Sequence, residues 1–138
     1  MNKKNKTIWE TRIKGKTAKT FQKVSSSINI DKRLFREDIQ ASIAHVEMLN
    51  KQKIINFKVK NKIVWGLKKI QNQIIKKKYS FNYADEDIHM SIEKKLFEII
   101  GEDAGYIHTA RSRNDQVLVD FKIWMNHSND KLIKLLNI

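Results

Sequence analysis

Apolar residues recur at helical spacing in four stretches of the chain. Between residues 32 and 51, Leu34, Ala41, Ala44 and Met48 follow one another at roughly helical intervals, and Ile39, Ile43 and Val46 widen the face. Asp31 stands where a helix N-cap or first-turn residue belongs, with acidic Glu37 and Asp38 after it. Residues 52–58 break the pattern. Val59, Ile63, Leu67, Ile70 and Ile74 then share one face of a second helix, which closes on Lys76, Lys77 and Lys78, cations suited to the negative end of a helix dipole. Residues 79–86 read as a loop. Asp85, Glu86 and Asp87 open a third helix carrying Ile88, Ile92, Leu96 and Ile99, and Gly101 is its expected C-terminal cap. Residues 101–111 read as a second loop. The last segment, 112–137, predicts one long helix. Val117, Phe121, Trp124, Leu132 and Leu135 form one stripe, and Val119 and Ile123 make it apolar on a second face, so it is expected to pack between several helices. Residues 1–26 show little period and read as an extended arm. Nothing alternates with a strand's period of two and no βαβ pattern occurs, so the fold class is all-α.

Composition changes this picture little. The absence of proline and the presence of only four glycines favour helices. With 138 residues the chain suits one domain, or one domain and part of another. Without cysteine there is neither a disulfide framework nor a thiolate metal site. The basic start MNKKNKTIWETR lacks the apolar run of a secretory signal, and no segment is apolar for long enough to span a bilayer, so the expected location is cytoplasmic.

The net charge of +13 first suggests a nucleic-acid partner. However, 23 of the 28 basic residues are Lys, whereas base and phosphate readers lean on the planar fork of Arg. The charge is also uneven: residues 1–78 carry +16 and residues 79–138 carry −3. Lys, Ile and Asn together make up 55 residues, a bias that an AT-rich coding sequence would produce. Both facts weigh against nucleic acid.

Three clusters could carry chemistry. The densest is Ile107-His108-Thr109-Ala110-Arg111-Ser112-Arg113-Asn114-Asp115-Gln116, at a loop-to-helix junction. Backbone N–H groups at a helix start, with Ser, Thr and Arg beside them, suit a carboxylate or phosphate. Equally, Ser112 could simply cap the helix, with Asp115 in its first turn. The second cluster is Asp85-Glu86-Asp87-Ile88-His89, where a carboxylate near a histidine could tune an acid or base, although helix starts attract acids anyway. The third, Ser25-Ser26-Ser27 with Asp31, reads by itself as a capping stretch. His45 and His127 fall within helices without a nameable partner, and the four histidines lack the paired spacing of a zinc site.

Taken together, SSSINIDKRLFREDIQASIAHVEML, EDIHMSIEKKLFEIIGEDAGYIHTARSRNDQV and DFKIW resemble the N-terminal third of the argininosuccinate lyase family, of the fumarase/aspartase superfamily, from about Trp9 to about Trp124. The run HTARSRNDQ is the most specific part. The resemblance implies a small helical domain over residues 1–110 (1–26 an arm) and the first helix of a central bundle over 111–138. It implies β-elimination of argininosuccinate to arginine and fumarate, in arginine biosynthesis, with no metal or organic cofactor. The family's substrate-binding positions correspond to Ser27, Asp31, Asp87, His89, Thr109, Ser112, Arg113, Asn114 and Gln116. The family's catalytic serine loop and Thr-His region lie beyond residue 138, so no catalytic base or acid is expected here and the chain is expected to be inactive alone. The family is homotetrameric, with each site assembled from three subunits. Two departures stand out: Ala110 replaces a usual Gly, a methyl tolerated if its φ is negative, and Trp9-Glu10-Thr11-Arg12-Ile13 replaces Trp-Gly-Gly-Arg-Phe. The competing readings are a small basic nucleic-acid binder and an interaction module joining lyase subunits.

Overall fold

The computed structural model describes residues 24–136; the expected arm therefore falls largely outside the described residues. Four helices carry the fold: α1 (Phe35–Lys51), α2 (Phe57–Ile75), α3 (Ile88–Ile100) and α4 (Arg113–Leu136). A single helical turn, Ile28–Asp31, and a 3-10 turn, Lys32–Leu34, lead into α1. No strand occurs among the described residues, so the expected all-α class holds.

Local chemistry sets several helix ends. Asn56 accepts the Val59 N–H with its side chain at 2.9 Å and starts α2. Asp87 does the same for Met90 at 2.6 Å and starts α3. Gly101 ends α3 at φ 74°, a conformation a side chain would oppose.

The predicted faces of α1, α2 and α3 meet in one core. Ile39, Val46 and Leu49 of α1, Ile63, Leu67 and Ile70 of α2, and Ile88, Ile92, Leu96 and Ile100 of α3 are buried together. Val59 and Ile74 pack at its edge. α2 and α3 approach most closely at Gly66, where a Cβ would stand 2.5 Å from Leu96 Cδ1. A side chain at position 66 would therefore force the Leu96 side chain to shift.

The structure departs from the sequence reading in four places. Residues 101–108 form a 3-10 helix rather than a loop. Ala104 and Ile107 explain it: three residues apart, they eclipse on a 3-10 helix and both enter the core. Second, Asp31 does not cap the helix over 32–51. That segment starts as a 3-10 turn, α1 begins at Phe35 without a side-chain cap, and the Asp31 carboxylate is engaged elsewhere.

Third, the apolar stripe of α4 does not face a packed core. Val117, Phe121, Leu132 and Leu135 are exposed, and Trp124 alone of the stripe is half-buried. The buried residues of α4 are Gln116 and Asp120. This helix lies on α1 and the 3-10 turn before it, and it does so through polar groups.

Fourth, Ala110 takes φ +55°, not the negative value that would suit its methyl. An L-residue in this region costs about 1–2 kcal/mol relative to its right-handed conformation. Ala110→Gly is expected to raise stability by about 1 kcal/mol despite the greater unfolded-state freedom of glycine. A rise in the urea midpoint with unchanged slope is the measurement that checks it.

A candidate active site where three segments converge

Three stretches far apart in sequence meet at the starts of α3 and α4. Ser26 and Ser27 dock onto the segment before α3. Ser26 Oγ donates to the Asp85 carbonyl at 3.0 Å, and the Ser27 N–H donates to the Glu86 carbonyl at 2.8 Å. Ser27 Oγ donates to Asp31 Oδ2 at 2.5 Å, while Asp31 Oδ1 accepts the Ile88 N–H at 3.1 Å. Asp31 and Asp87 therefore share the exposed N–H groups at the start of α3, an electrostatically favourable place for carboxylates. Burial raises the pKa of Asp31 above the ordinary carboxylate value; the Ser27 hydrogen bond opposes this, and the charge of Asp87 adds to it.

Arg113, the first residue of α4, joins this cluster. Its guanidinium donates to Gln116 Oε1 at 2.8 Å and pairs with Glu93 at 3.2 Å and Asp87 at 3.5 Å. Gln116 in turn donates from Nε2 to Asp38 Oδ1 at 2.5 Å. His89 Nδ1 donates to the same oxygen at 2.9 Å and lies 3.4 Å from Asp120 Oδ2. Ser27, Asp31, Asp87, His89, Arg113 and Gln116 thus belong to one linked array.

The remaining expected site residues stand beside it. Ser112 Oγ accepts the Asn114 N–H at 3.2 Å, and Asp115 Oδ2 accepts the Ser112 N–H at 3.2 Å. This reciprocal cap is the structural alternative recognised in the sequence. It also leaves Ser112 and Asn114 exposed at the helix N-terminus, where an anion would be met. The Thr109 carbonyl accepts from His45 Nε2 at 2.9 Å, which supplies the partner the sequence did not reveal for His45. Among the described residues, no hydrogen bond joins Thr109's own side chain to the array. His127 lies 3.7 Å from Glu37.

The centre of the array was not legible in the sequence. Asp38, Asp120 and His89 are all buried, and their ligand atoms lie within 4.8 Å of one another. Such a trio could hold a cation, but cationic side chains face it already. Burial penalises the His89 imidazolium, yet the Asp38 hydrogen bond and the charges of Asp38, Asp87 and Asp120 outweigh that and raise its pKa. Burial likewise penalises the Asp38 carboxylate, but His89, Gln116 and Arg111 hold its pKa below the ordinary value. Asp120 differs: burial and then the Asp38 charge push its carboxyl up to about 8. Arg111, with its own pKa lowered by burial, donates to Ser42 at 3.3 Å beside the trio.

Only one signal could have found Asp120: with Gln116 it forms an i, i+4 polar pair flanking the apolar run Val117-Leu118-Val119. Asp38 looked like one more acidic residue in a first helical turn.

A family model described as "Lyase" matches residues 11–138. The argininosuccinate lyase of Pelagibacter ubique is 60% identical over 136 residues, 99% of this chain and 29% of that protein. That of Campylobacter jejuni (strain RM1221) is 46% identical over 130 residues, 94% of this chain and 28% of the relative. That of Leuconostoc mesenteroides is 48% identical over 120 residues, 87% and 26% respectively. The chain thus spans less than a third of the length of the curated relatives it matches. Its fold is helical throughout the described residues, and none of its helices is long and apolar enough to cross a membrane. With a match running over nearly its whole length, the chain belongs to the lyase family.

Proposed function

We propose that these 138 residues form part of an argininosuccinate lyase, which cleaves argininosuccinate to arginine and fumarate by β-elimination. The observation that supports this best is the convergence of segments 27–31, 87–89 and 112–116, the same segments in which the sequence resembles that family. The chemistry suits the reaction. Proton removal beside a carboxylate builds negative charge, which needs a fixed set of donors more than a cofactor. Arg113 is held by Asp87, Glu93 and Gln116 and so is oriented before substrate arrives. The exposed start of α4, with Ser112 and Asn114, offers backbone and amide N–H groups to a carboxylate. No metal or organic cofactor takes part.

The exposed apolar residues of α4, among them Val117, Leu118, Phe121 and Met125, support a homo-oligomer in which α4 enters a larger helical bundle. In that arrangement residues up to about 110 form the peripheral helical domain and 111–138 begin the bundle. A cytoplasmic location and a role in arginine biosynthesis follow from the same reading. The proposed anion-binding motif lies in the half with net charge −3, which weighs against a nucleic-acid site built on the lysine excess of residues 1–78.

A chimera tests the proposal. The full chain replaces the 130-residue stretch it matches in the Campylobacter jejuni enzyme, and fumarate release from argininosuccinate is followed by absorbance. Turnover is expected, and Asn114→Ala is expected to reduce kcat/KM by about 100-fold or more, as for loss of one charge-stabilising donor. Turnover that survives Asn114→Ala removes that residue from the site. An inactive wild-type chimera overturns the lyase reading.

A further inference from the structure

We propose that Asp38 is a positioning residue that holds the His89 ring by Nδ1, leaving Nε2 as the nitrogen that serves an anionic substrate. This rests on the lyase reading of the site. The geometry carries it. Asp38 comes from α1, His89 from α3 and Asp120 from α4, so one ring nitrogen ties together three helices. Nδ1 faces Asp38 Oδ1 at 2.9 Å and Asp120 Oδ2 at 3.4 Å, which occupies the only proton it can donate. A ring gripped in this way has a fixed plane and a fixed tautomer, the role a buried carboxylate plays for a working histidine.

Burial rules out a casual arrangement. The two carboxylates are 1% and 0% exposed and the histidine 3%. Asp38 Oδ2 and both carboxyl oxygens of Asp120 lack a hydrogen-bond partner within a site from which water is largely excluded. Such groups are expensive to bury and persist where a precise arrangement repays them. The charged groups facing the ring come from every side: Asp38 on α1, Asp87 before α3, Asp120 on α4, and Arg111 opposite both buried acids. Gln116 extends the grip. By donating to the same Asp38 oxygen and accepting from Arg113, it sets the first turn of α4 in register with His89. A shift of Asp38 would therefore move His89 and the 112–116 segment relative to each other.

Two measurements decide this. The first is nitrogen-15 NMR of the histidine rings in the 138-residue chain, with His89 assigned through His89→Gln. The expected result is a slowly exchanging Nδ1–H on His89, lost in Asp38→Asn. A ring whose Nε2 carries the protected proton, or whose Nδ1–H exchanges as freely as that of exposed His127, overturns the proposal. The second uses the active chimera. Asp38→Asn keeps the shape of the carboxylate but removes the charge that faces His89 Nδ1. It is expected to lower kcat/KM about tenfold, the worth of about one charge-assisted hydrogen bond, and to displace the acidic limb of the pH–rate profile. Circular dichroism confirms that the variant is folded. An unchanged kcat/KM and pH profile overturn the positioning role. A wild-type chimera that is inactive sinks the lyase reading instead, and the ring measurement then decides the clamp alone.

Discussion

Asp38→Ala is expected to cost the fold about 3 kcal/mol, the low end of the range for breaking a buried ion pair by removing one partner. The loss is large because one carboxylate oxygen serves both the His89 ring and the Gln116 amide, and all three side chains are buried. Without it, an imidazolium and an amide N–H lose their acceptor where little water can replace it. Asp120 limits the damage. Its carboxyl is held protonated by burial and by the Asp38 charge. Once that charge is gone, Asp120 ionises more readily and pairs with His89 from 3.4 Å. The double variant Asp38→Ala/Asp120→Ala should therefore fall further than the sum of the two single changes. Urea unfolding of the four proteins measures this. A shift below about 0.5 kcal/mol, the scale of an ordinary surface change, would show that the network carries no stability. Since a domain of this kind has about 5–15 kcal/mol in total, the expected loss is a substantial share.

The second large effect is on pH. Burial and the Asp38 charge push the Asp120 carboxyl up to about 8, against 3.8 for an ordinary aspartate. Between these values the native state binds a proton that the unfolded chain has released. Stability contributed by that proton is full at low pH and is lost as pH rises, by up to about 1.4 kcal/mol per unit, levelling off above pH 8. His89, also raised, adds a loss in the same direction above 6.5. Asp31 contributes likewise above 3.8. Asp38 acts oppositely, its stabilisation disappearing as pH falls below 3.8. His45 and His108, both lowered chiefly by burial, favour folding as pH rises toward 6.5. The clearest window is therefore pH 6.5–8, where Asp120 and His89 act together. The melting temperature of the wild type is expected to fall across it, and Asp120→Asn to flatten most of that fall and to exceed the wild type in stability above pH 8. Parallel curves for the two proteins would show that Asp120 titrates normally.

These expectations depend on contacts that the sequence did not display. Helical spacing identified α2 and α3 almost residue by residue, because Ile63, Leu67 and Ile70, or Ile88, Ile92 and Leu96, can be buried together only on one face. Asp87 and Gly101 announced the ends of α3 through their own local chemistry. The motif residues of 107–116 were conspicuous because so many donors stand in ten positions. In contrast, period alone misjudged α4. It showed which apolar residues share a face, but not that the helix would lie on α1 through Gln116 and Asp120.

The sequence by itself determined the all-helical class, the burial of three helical faces and the family resemblance, because these depend on local periodicity and on contiguous motifs. Only the tertiary structure decided that Asp38 and Asp120 enclose His89, that Asp31 caps a helix begun 57 positions later, and that Ala110 bears a left-handed backbone. The physical reason is common to all three. The worth of a charge or a backbone angle depends on which groups are brought within a few ångströms of it, and partners separated by fifty or more residues leave no periodic trace in the chain.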